Sequence, residues 1–172
     1  MFKTIKLIAL AITISIPFIL GSCINGNDVP DRTSQIEQQE LNQSLANLEK
    51  AGYDVDTTSL GVFYVMNKTG EGAFPAAGDT CSLIYTGFFL DGSIFDTSGD
   101  YYQDSIWQFK FKEVSLIAGF NDGIALLNKG SEADVIIPSS LAYGADGYGA
   151  IPPYTSLVFS LKMRDLKPVL QN

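Results

Sequence analysis

Two stretches of the chain carry side chains able to do chemistry. One is Tyr85-Thr86-Gly87, followed after seven intervening residues by Phe95-Asp96. The other is Ala142-Tyr143-Gly144, followed by Ile151-Pro152-Pro153 and then Leu157-Val158-Phe159. Together they offer four aromatic rings, one aliphatic side chain and one carboxylate, with no strong nucleophile. A ring-lined apolar cup supports few reactions by itself, and twisting an X-Pro peptide bond is one of them. The barrier to that twist is about 18–20 kcal/mol because the C–N bond has partial double-bond character. Uncatalysed X-Pro exchange takes roughly tens to hundreds of seconds. Twisting removes resonance and leaves the carbonyl less polarised, so an apolar site disfavours the planar amide more than the twisted one.

Each of these residues has a plainer explanation when taken singly. Tyr85 and Phe159 fall on core-facing strand positions, where an aromatic ring usually packs. Asp96, in Asp96-Thr97-Ser98, is a common turn closer; its other role is to accept from a buried Tyr85 hydroxyl, which needs a partner. Pro152-Pro153 simply stiffens a loop. Tyr143, between Ala142 and Gly144, is the least easily assigned to packing. Other chemistries fare worse. The chain has 0 His, which removes His-dependent triads and most zinc sites. Asp96, Asp100 and Asp104 miss the spacing of a calcium loop and are read as solvated loop acids. Gly144 to Gly149 partly resembles a glycine-rich nucleotide loop but leads into Ile-Pro-Pro instead of a helix.

The elements that must hold these residues follow from the patterning after Gly61. Short apolar runs are divided by Gly-, Pro- and Asp-rich turns. Val62–Asn67, Thr80–Phe89 and Leu157–Met163 read as strands, and Leu90-Asp91-Gly92-Ser93 as a hairpin turn. In the last strand Leu157, Phe159, Leu161 and Met163 alternate with Val158, Ser160, Lys162 and Arg164, so one face is buried. A single stretch suits a helix, Gly119 to Leu127, with Phe120, Ile124 and Leu127 on one side. The expected fold class is α+β, a curled antiparallel β-sheet packed over one short helix.

Upstream, Leu41, Leu45 and Leu48 lie at helical spacing, predicting a helix over residues 35–50 with Ser34 as its cap and Gly52 as its stop. That stripe is too short for a coiled coil, and the helix is read as packing on its own domain. Residues 23–34 are polar and read as a flexible tether. The first 22 residues read as a targeting segment: Lys3 and Lys6, an apolar run from Leu7 to Leu20, then Leu20-Gly21-Ser22-Cys23. Its pattern resembles a bacterial lipoprotein signal, which implies that Cys23 is lipidated. Its loss would leave 150 of the 172 residues and, by removing two lysines and no acid, move the formal charge from −8 to −10. A chain so acidic is not expected to bind nucleic acid, and membrane attachment would come from the Cys23 lipid. With Cys23 lipidated, Cys81 has no partner; it falls on the Leu83 and Tyr85 side of its strand and reads as a buried thiol.

From about Gly61 to Leu166 the ordered set of motifs resembles the FKBP-type peptidyl-prolyl isomerase family, whose domain would span residues 61–168, with residues 35–60 as the preceding helix and linker. The resemblance implies a proline cup. Tyr85 and the pair Phe95-Asp96 match family positions, as does Phe109 on the following strand. Ile117, after Leu116, matches the residue whose backbone N–H meets a ligand carbonyl. Phe120 takes the floor, Tyr143 the hydroxyl donor, and Ile151 and Phe159 the remaining walls. Three departures stand out. The family's usual floor residue is Trp, the segment from Asp96 to Phe109 is long, and Ala150 replaces a second Ile. The resemblance implies a monomeric enzyme that needs no cofactor or metal, acting on Pro-containing polypeptides and binding rapamycin-like macrolides. With the signal, it implies a place in the bacterial cell envelope, on the outer membrane facing the periplasm in a Gram-negative cell. The rival expectation is a chaperone or adaptor module that binds Pro-containing segments without catalysis.

Overall fold

The computed structural model describes residues 32–169. Helix α1 (Ser34–Lys50) leads into β1 (Asp56–Thr57), β2 (Phe63–Lys68), β3 (Thr80–Phe89), β4 (Ile94–Thr97) and β5 (Trp107–Lys110). Helix α2 (Ala118–Ala125), β6 (Glu132–Ile137) and β7 (Leu157–Lys167) complete the domain. The strands form one antiparallel sheet in the order β1-β2-β6-β7-β3-β4, with β5 also paired to β3. This is the α+β arrangement expected, with α2 as the helix under the sheet. Cys23 and the signal-like segment lie outside the described residues.

Alternation along β7 explains its central place. Leu157, Phe159, Leu161 and Met163 are buried, while Ser160 and Arg164 are exposed. With one face apolar and one polar, a one-residue slip would turn every core side chain to solvent, so the register is strongly set. Helix α2 reaches that face closely because it presents glycines to it. A Cβ on Gly119 would sit 2.3 Å from Ile137 Cγ2, and one on Gly123 would sit 3.2 Å from Val135 Cγ1. That approach drives Phe120 and Ile124 into the core beside Leu83, Val135 and Leu157.

The outer edge of β3 is shared by two partners. Thr80–Leu83 pair with β5, and Thr86–Phe88 pair with β4. Between them the edge at Tyr85 faces no strand, and an unpaired buried backbone group is costly. Ser98 fills the gap: its hydroxyl accepts from the Tyr85 N–H at 3.1 Å and donates to the Tyr85 carbonyl at 3.2 Å. Ser98 is fully buried and starts the 3-10 turn Ser98–Asp100, followed by a second turn at Gln103–Ser105. The long Asp96–Phe109 segment is therefore a bulge anchored at its root, not a lengthened strand.

Several expectations need correcting. Thr33, not Ser34, caps α1: its hydroxyl accepts from the Ile36 N–H at 3.4 Å, and Ser34 is already helical. Helix α2 spans Ala118–Ala125, and Leu127 is buried in the turn beyond it, held by its N–H to the Ile124 carbonyl at 2.9 Å. Strand β7 continues to Lys167 because β3 keeps pairing with it through Thr80. Strand β6 was not expected, since Glu132 and Asp134 interrupt its apolar pattern. Both lie on the polar face, where Glu132 pairs with Lys162 at 2.5 Å and Asp134 accepts from Asn67 at 2.8 Å.

Candidate active site

The sheet and α2 bring the rings together as anticipated from the motifs. Phe120 enters from α2 and Phe159 from β7, with centroids 4.7 Å apart and planes at 70°. Tyr85 on β3 meets both edge-on, at 5.8 Å from Phe120 and 6.3 Å from Phe159. Phe95 on β4 adds the next wall, 5.5 Å from Phe159 at 81°. Edge-to-face arrangements of this kind are favoured by the ring quadrupole. Gly87 makes the wall possible. A Cβ there would lie 2.7 Å from Phe95 Cζ and 2.9 Å from Phe159 Cε1, closer than real Cβ atoms come. The glycine of the Tyr-Thr-Gly motif thus leaves the space where two rings converge.

Polar groups are few and placed at the rim. The Tyr85 hydroxyl donates to Asp96 Oδ2 at 3.1 Å. The other oxygen, Oδ1, is buried and has no hydrogen-bond partner among the described residues, which leaves an acceptor inside an otherwise apolar wall. Tyr143 follows the 3-10 turn Ser139–Leu141 and stacks on Tyr148, with centroids 5.1 Å apart. Burial, then the Tyr148 and Asp96 charges, push the Tyr143 hydroxyl above its ordinary value, so it stays a donor at neutral pH. Ile117 caps α2, its carbonyl accepting from Phe120 N at 3.1 Å and Asn121 N at 3.2 Å. As a cap residue its N–H lies outside the helical ladder. Ile151 is buried and bridges to Tyr148.

Phe109 stands apart from this group. It is buried and stacks on Trp107 at 4.1 Å, and it reaches Tyr85 through that indole, which meets the Tyr85 ring edge-on at 5.9 Å. Trp107 is therefore a ring that packs edge-on against Tyr85 and links it to Phe109, a role not foreseen. The alternation Trp107-Gln108-Phe109 was the available signal. Outward from it the long rim continues the aromatic series, with Tyr102 stacked on Trp107 at 6.4 Å and Tyr101 beside Tyr102 at 6.3 Å. Ser98 was also missed, and nothing in Thr97-Ser98-Gly99 distinguishes it from a solvated turn. Ala150 is exposed and contributes no wall.

The pairing of Tyr85 with Asp96 has a consequence in alkali. Burial first, and the Asp96 charge second, hold the Tyr85 proton well above the ordinary value of 10. The unfolded chain releases this proton near that ordinary value while the folded chain keeps it, so stability is complete below pH 10 and falls as pH rises beyond. Cys81, buried and beside Asp79, is pushed from 9 to about 11 and adds a similar loss starting near pH 9. The melting temperature of the wild type should drop more steeply above pH 10 than that of Tyr85→Phe. Equal slopes would show that the folded state does not retain the proton.

Comparison with known proteins agrees with this geometry. A family model described as FKBP-type peptidyl-prolyl cis-trans isomerase matches residues 71–164. The FKBP-type isomerase FkpA of Escherichia coli is 36% identical over 114 residues, 66% of this chain and 41% of that protein. The FKBP-type 22 kDa isomerase of the same organism is 35% identical over 148 residues, covering 81% of this chain and 69% of that one. A crystal structure of a peptidyl-prolyl cis-trans isomerase from Pseudomonas syringae superposes with a TM-score of 0.66 at 28% identity, covering 81% of this chain and 99% of that one. The crystal structure of FkpA gives 0.64 at 30% identity, covering 78% and 62%. By sequence the match covers 41% of FkpA, and by structure 62% of the FkpA chain, so this chain spans only part of that protein. The residues matched by the family model, 71–164, hold the ring cup, and this chain belongs to the FKBP-type peptidyl-prolyl cis-trans isomerase family.

Proposed function

We propose that the protein accelerates cis–trans exchange of X-Pro bonds in polypeptide clients. The observation that carries this reading is the cup formed by Tyr85, Phe95, Phe120 and Phe159, with Asp96 as its one acid. A pyrrolidine seated on Phe120 would lie among apolar rings that solvate the twisted amide better than the planar one. The Tyr143 hydroxyl would donate to a carbonyl flanking the proline and hold the chain while the bond turns. No covalent step is needed, and no metal or cofactor is invoked. The test is the decay rate of a Pro-containing peptide with and without the protein. Acceleration supports the reading; binding of the peptide with no change in rate would make the protein the adaptor module instead. Tyr143→Phe should weaken macrolide binding about two- to tenfold at unchanged stability, because it removes one hydrogen bond of about 0.5–1.5 kcal/mol. A large stability loss would make Tyr143 structural.

The substrate-side proposals follow from the family and the N-terminal sequence. Clients are exported polypeptides, rapamycin-like macrolides compete for the cup, and the protein acts as a monomer. Cys23 is the lipidated residue of an envelope lipoprotein, held on the outer membrane facing the periplasm in a Gram-negative cell. Leu20-Gly21-Ser22-Cys23 supports this. Cys23→Ala should leave uncleaved precursor with a folded domain. Equal amounts of processed, membrane-bound protein from that variant would rule the anchor out.

A further inference from the structure

Helix α1 carries a buried acid that no step of the proposed reaction uses. Glu37 is 8% exposed. Its Oε1 accepts from the Ser139 N–H at 2.6 Å and from the Ser156 hydroxyl at 2.7 Å, and its Oε2 accepts from the Ser139 hydroxyl at 2.5 Å. Ser139 and Ser156 are themselves buried and stand at the two ends of one long loop that carries Tyr143 and Ile151. The carboxylate therefore closes the neck of that loop from outside it.

Ser139 transmits this hold directly to Tyr143. The Ser139 carbonyl accepts from Ala142 N at 2.9 Å and from Gly144 N at 2.8 Å, so the residues on both sides of Tyr143 hang from it. The Gly144 carbonyl in turn accepts from Tyr154 N at 2.8 Å. Arg32, just before α1, donates to the Tyr154 carbonyl at 3.3 Å and pairs with Glu40 at 2.5 Å, a second tie from the same helix.

Apolar packing along α1 is partial, with Ile36, Leu45 and Leu48 only half-buried. Leu41 is the one apolar side chain that α1 buries, and a cavity of about 310 Å³ lies between Gln38, Leu41, Pro138, Ser140, Ala145 and Tyr154. Burying a carboxylate against hydroxyls and an amide, without a cation, is a costly way merely to dock a helix. What it supplies is geometry. Charge-assisted bonds are short and strong, and three converging donors resist sliding where a greasy contact would not.

We propose that Glu37 is a positioning residue for prolyl isomerisation, clamping the Ser139–Ser156 loop so that the Tyr143 hydroxyl is held over the ring cup. The proposal rests on the isomerase reading of the cup and extends the working unit to α1. Removing the clamp should release Tyr143 and forfeit what its hydrogen bond contributes, about a two- to tenfold loss in kcat/KM. Glu37→Gln keeps an Oε1 acceptor for both the Ser139 N–H and the Ser156 hydroxyl, and offers its amide to the Ser139 oxygen. It should restore most of the activity.

The test is a double-mutant cycle in the full chain, with Glu37→Ala and Tyr143→Phe singly and together, and Glu37→Gln beside them. Thermal melts establish that each protein is folded at the assay temperature. Glu37→Ala should lower kcat/KM about two- to tenfold in the wild type but by less than about 1.5-fold in the Tyr143→Phe background, because coupled residues are not additive. Equal losses in both backgrounds would overturn the proposal. So would an unchanged kcat/KM accompanied only by a lower melting temperature. Should the wild type leave the peptide decay rate unchanged, the isomerase reading itself fails and the role in isomerisation fails with it. Amide hydrogen exchange then tests the clamp alone. Faster exchange at Ala142 and Gly144 in Glu37→Ala, reversed by Gln, supports it, and unchanged exchange overturns it.

Discussion

Phe120→Ala should cost about 3–5 kcal/mol of stability, the usual range for deleting a buried ring, and lower the melting temperature on the order of 10 °C. Phe120 is 5% exposed and touches both Tyr85 and Phe159, so the cavity opens where the pyrrolidine would sit. At a temperature where the variant is still folded, kcat/KM and macrolide affinity should each fall by more than about tenfold, since the lost contact exceeds 1.4 kcal/mol. Phe120→Leu separates the two effects: it refills much of the volume without restoring a flat ring, so stability should recover further than activity. Phe120→Trp, which adds about 30–40 Å² of apolar contact, should improve binding by about fivefold where the cup has room. If the folded Ala variant keeps full rate and affinity, Phe120 is core alone and the site lies elsewhere.

Gly87→Ala should damage the ring wall directly. The added carbon meets Phe95 Cζ at 2.7 Å and Phe159 Cε1 at 2.9 Å, and neither ring can retreat without leaving its packed neighbours. Overpacking of this kind typically costs about 1–3 kcal/mol. Phe95, on the short strand β4, is the ring with freedom to turn, and turning it dismantles one wall of the cup. Macrolide binding should fall about tenfold or more, in step with the upper part of that range. Adding Phe95→Leu to Gly87→Ala should recover stability and leave binding impaired. Recovery of both would mean that Phe95 is not part of the binding wall.

Legibility in the sequence followed how local each cause was. The strict alternation of Leu157 to Met163 announced β7, and the hairpin at Leu90–Ser93 was readable because Asp91-Gly92 supplies what the turn requires. Asp91 takes the Ser93 N–H at 2.8 Å, and Gly92 stands at φ +86°. The ring set was legible as an ordered series of motifs, although no single ring declared itself. What stayed hidden depended on partners far along the chain. Glu37 sits in a stretch of Gln and Glu that reads as a solvated helix face, and its partners lie 102 and 119 residues away. Strand β6 was obscured because its acids face solvent on a sheet whose polar side the pattern alone did not locate. The place of Trp107 was hidden too, since only the pairing of β5 with β3 sets its ring edge-on against Tyr85.

The shared edge of β3 gives the rim a modular character. Because β4 and β5 pair independently, and Ser98 satisfies the Tyr85 backbone where they part, the chain from Gly99 to Ile106 carries no share of the sheet's register. Doubling the length of such a loop adds only about 0.6 kcal/mol of closure entropy. This one segment can therefore change in length and sequence while the sheet that holds the ring cup keeps its register. A graft made between Ser98 and Trp107 is the place to alter the rim without redesigning the cup.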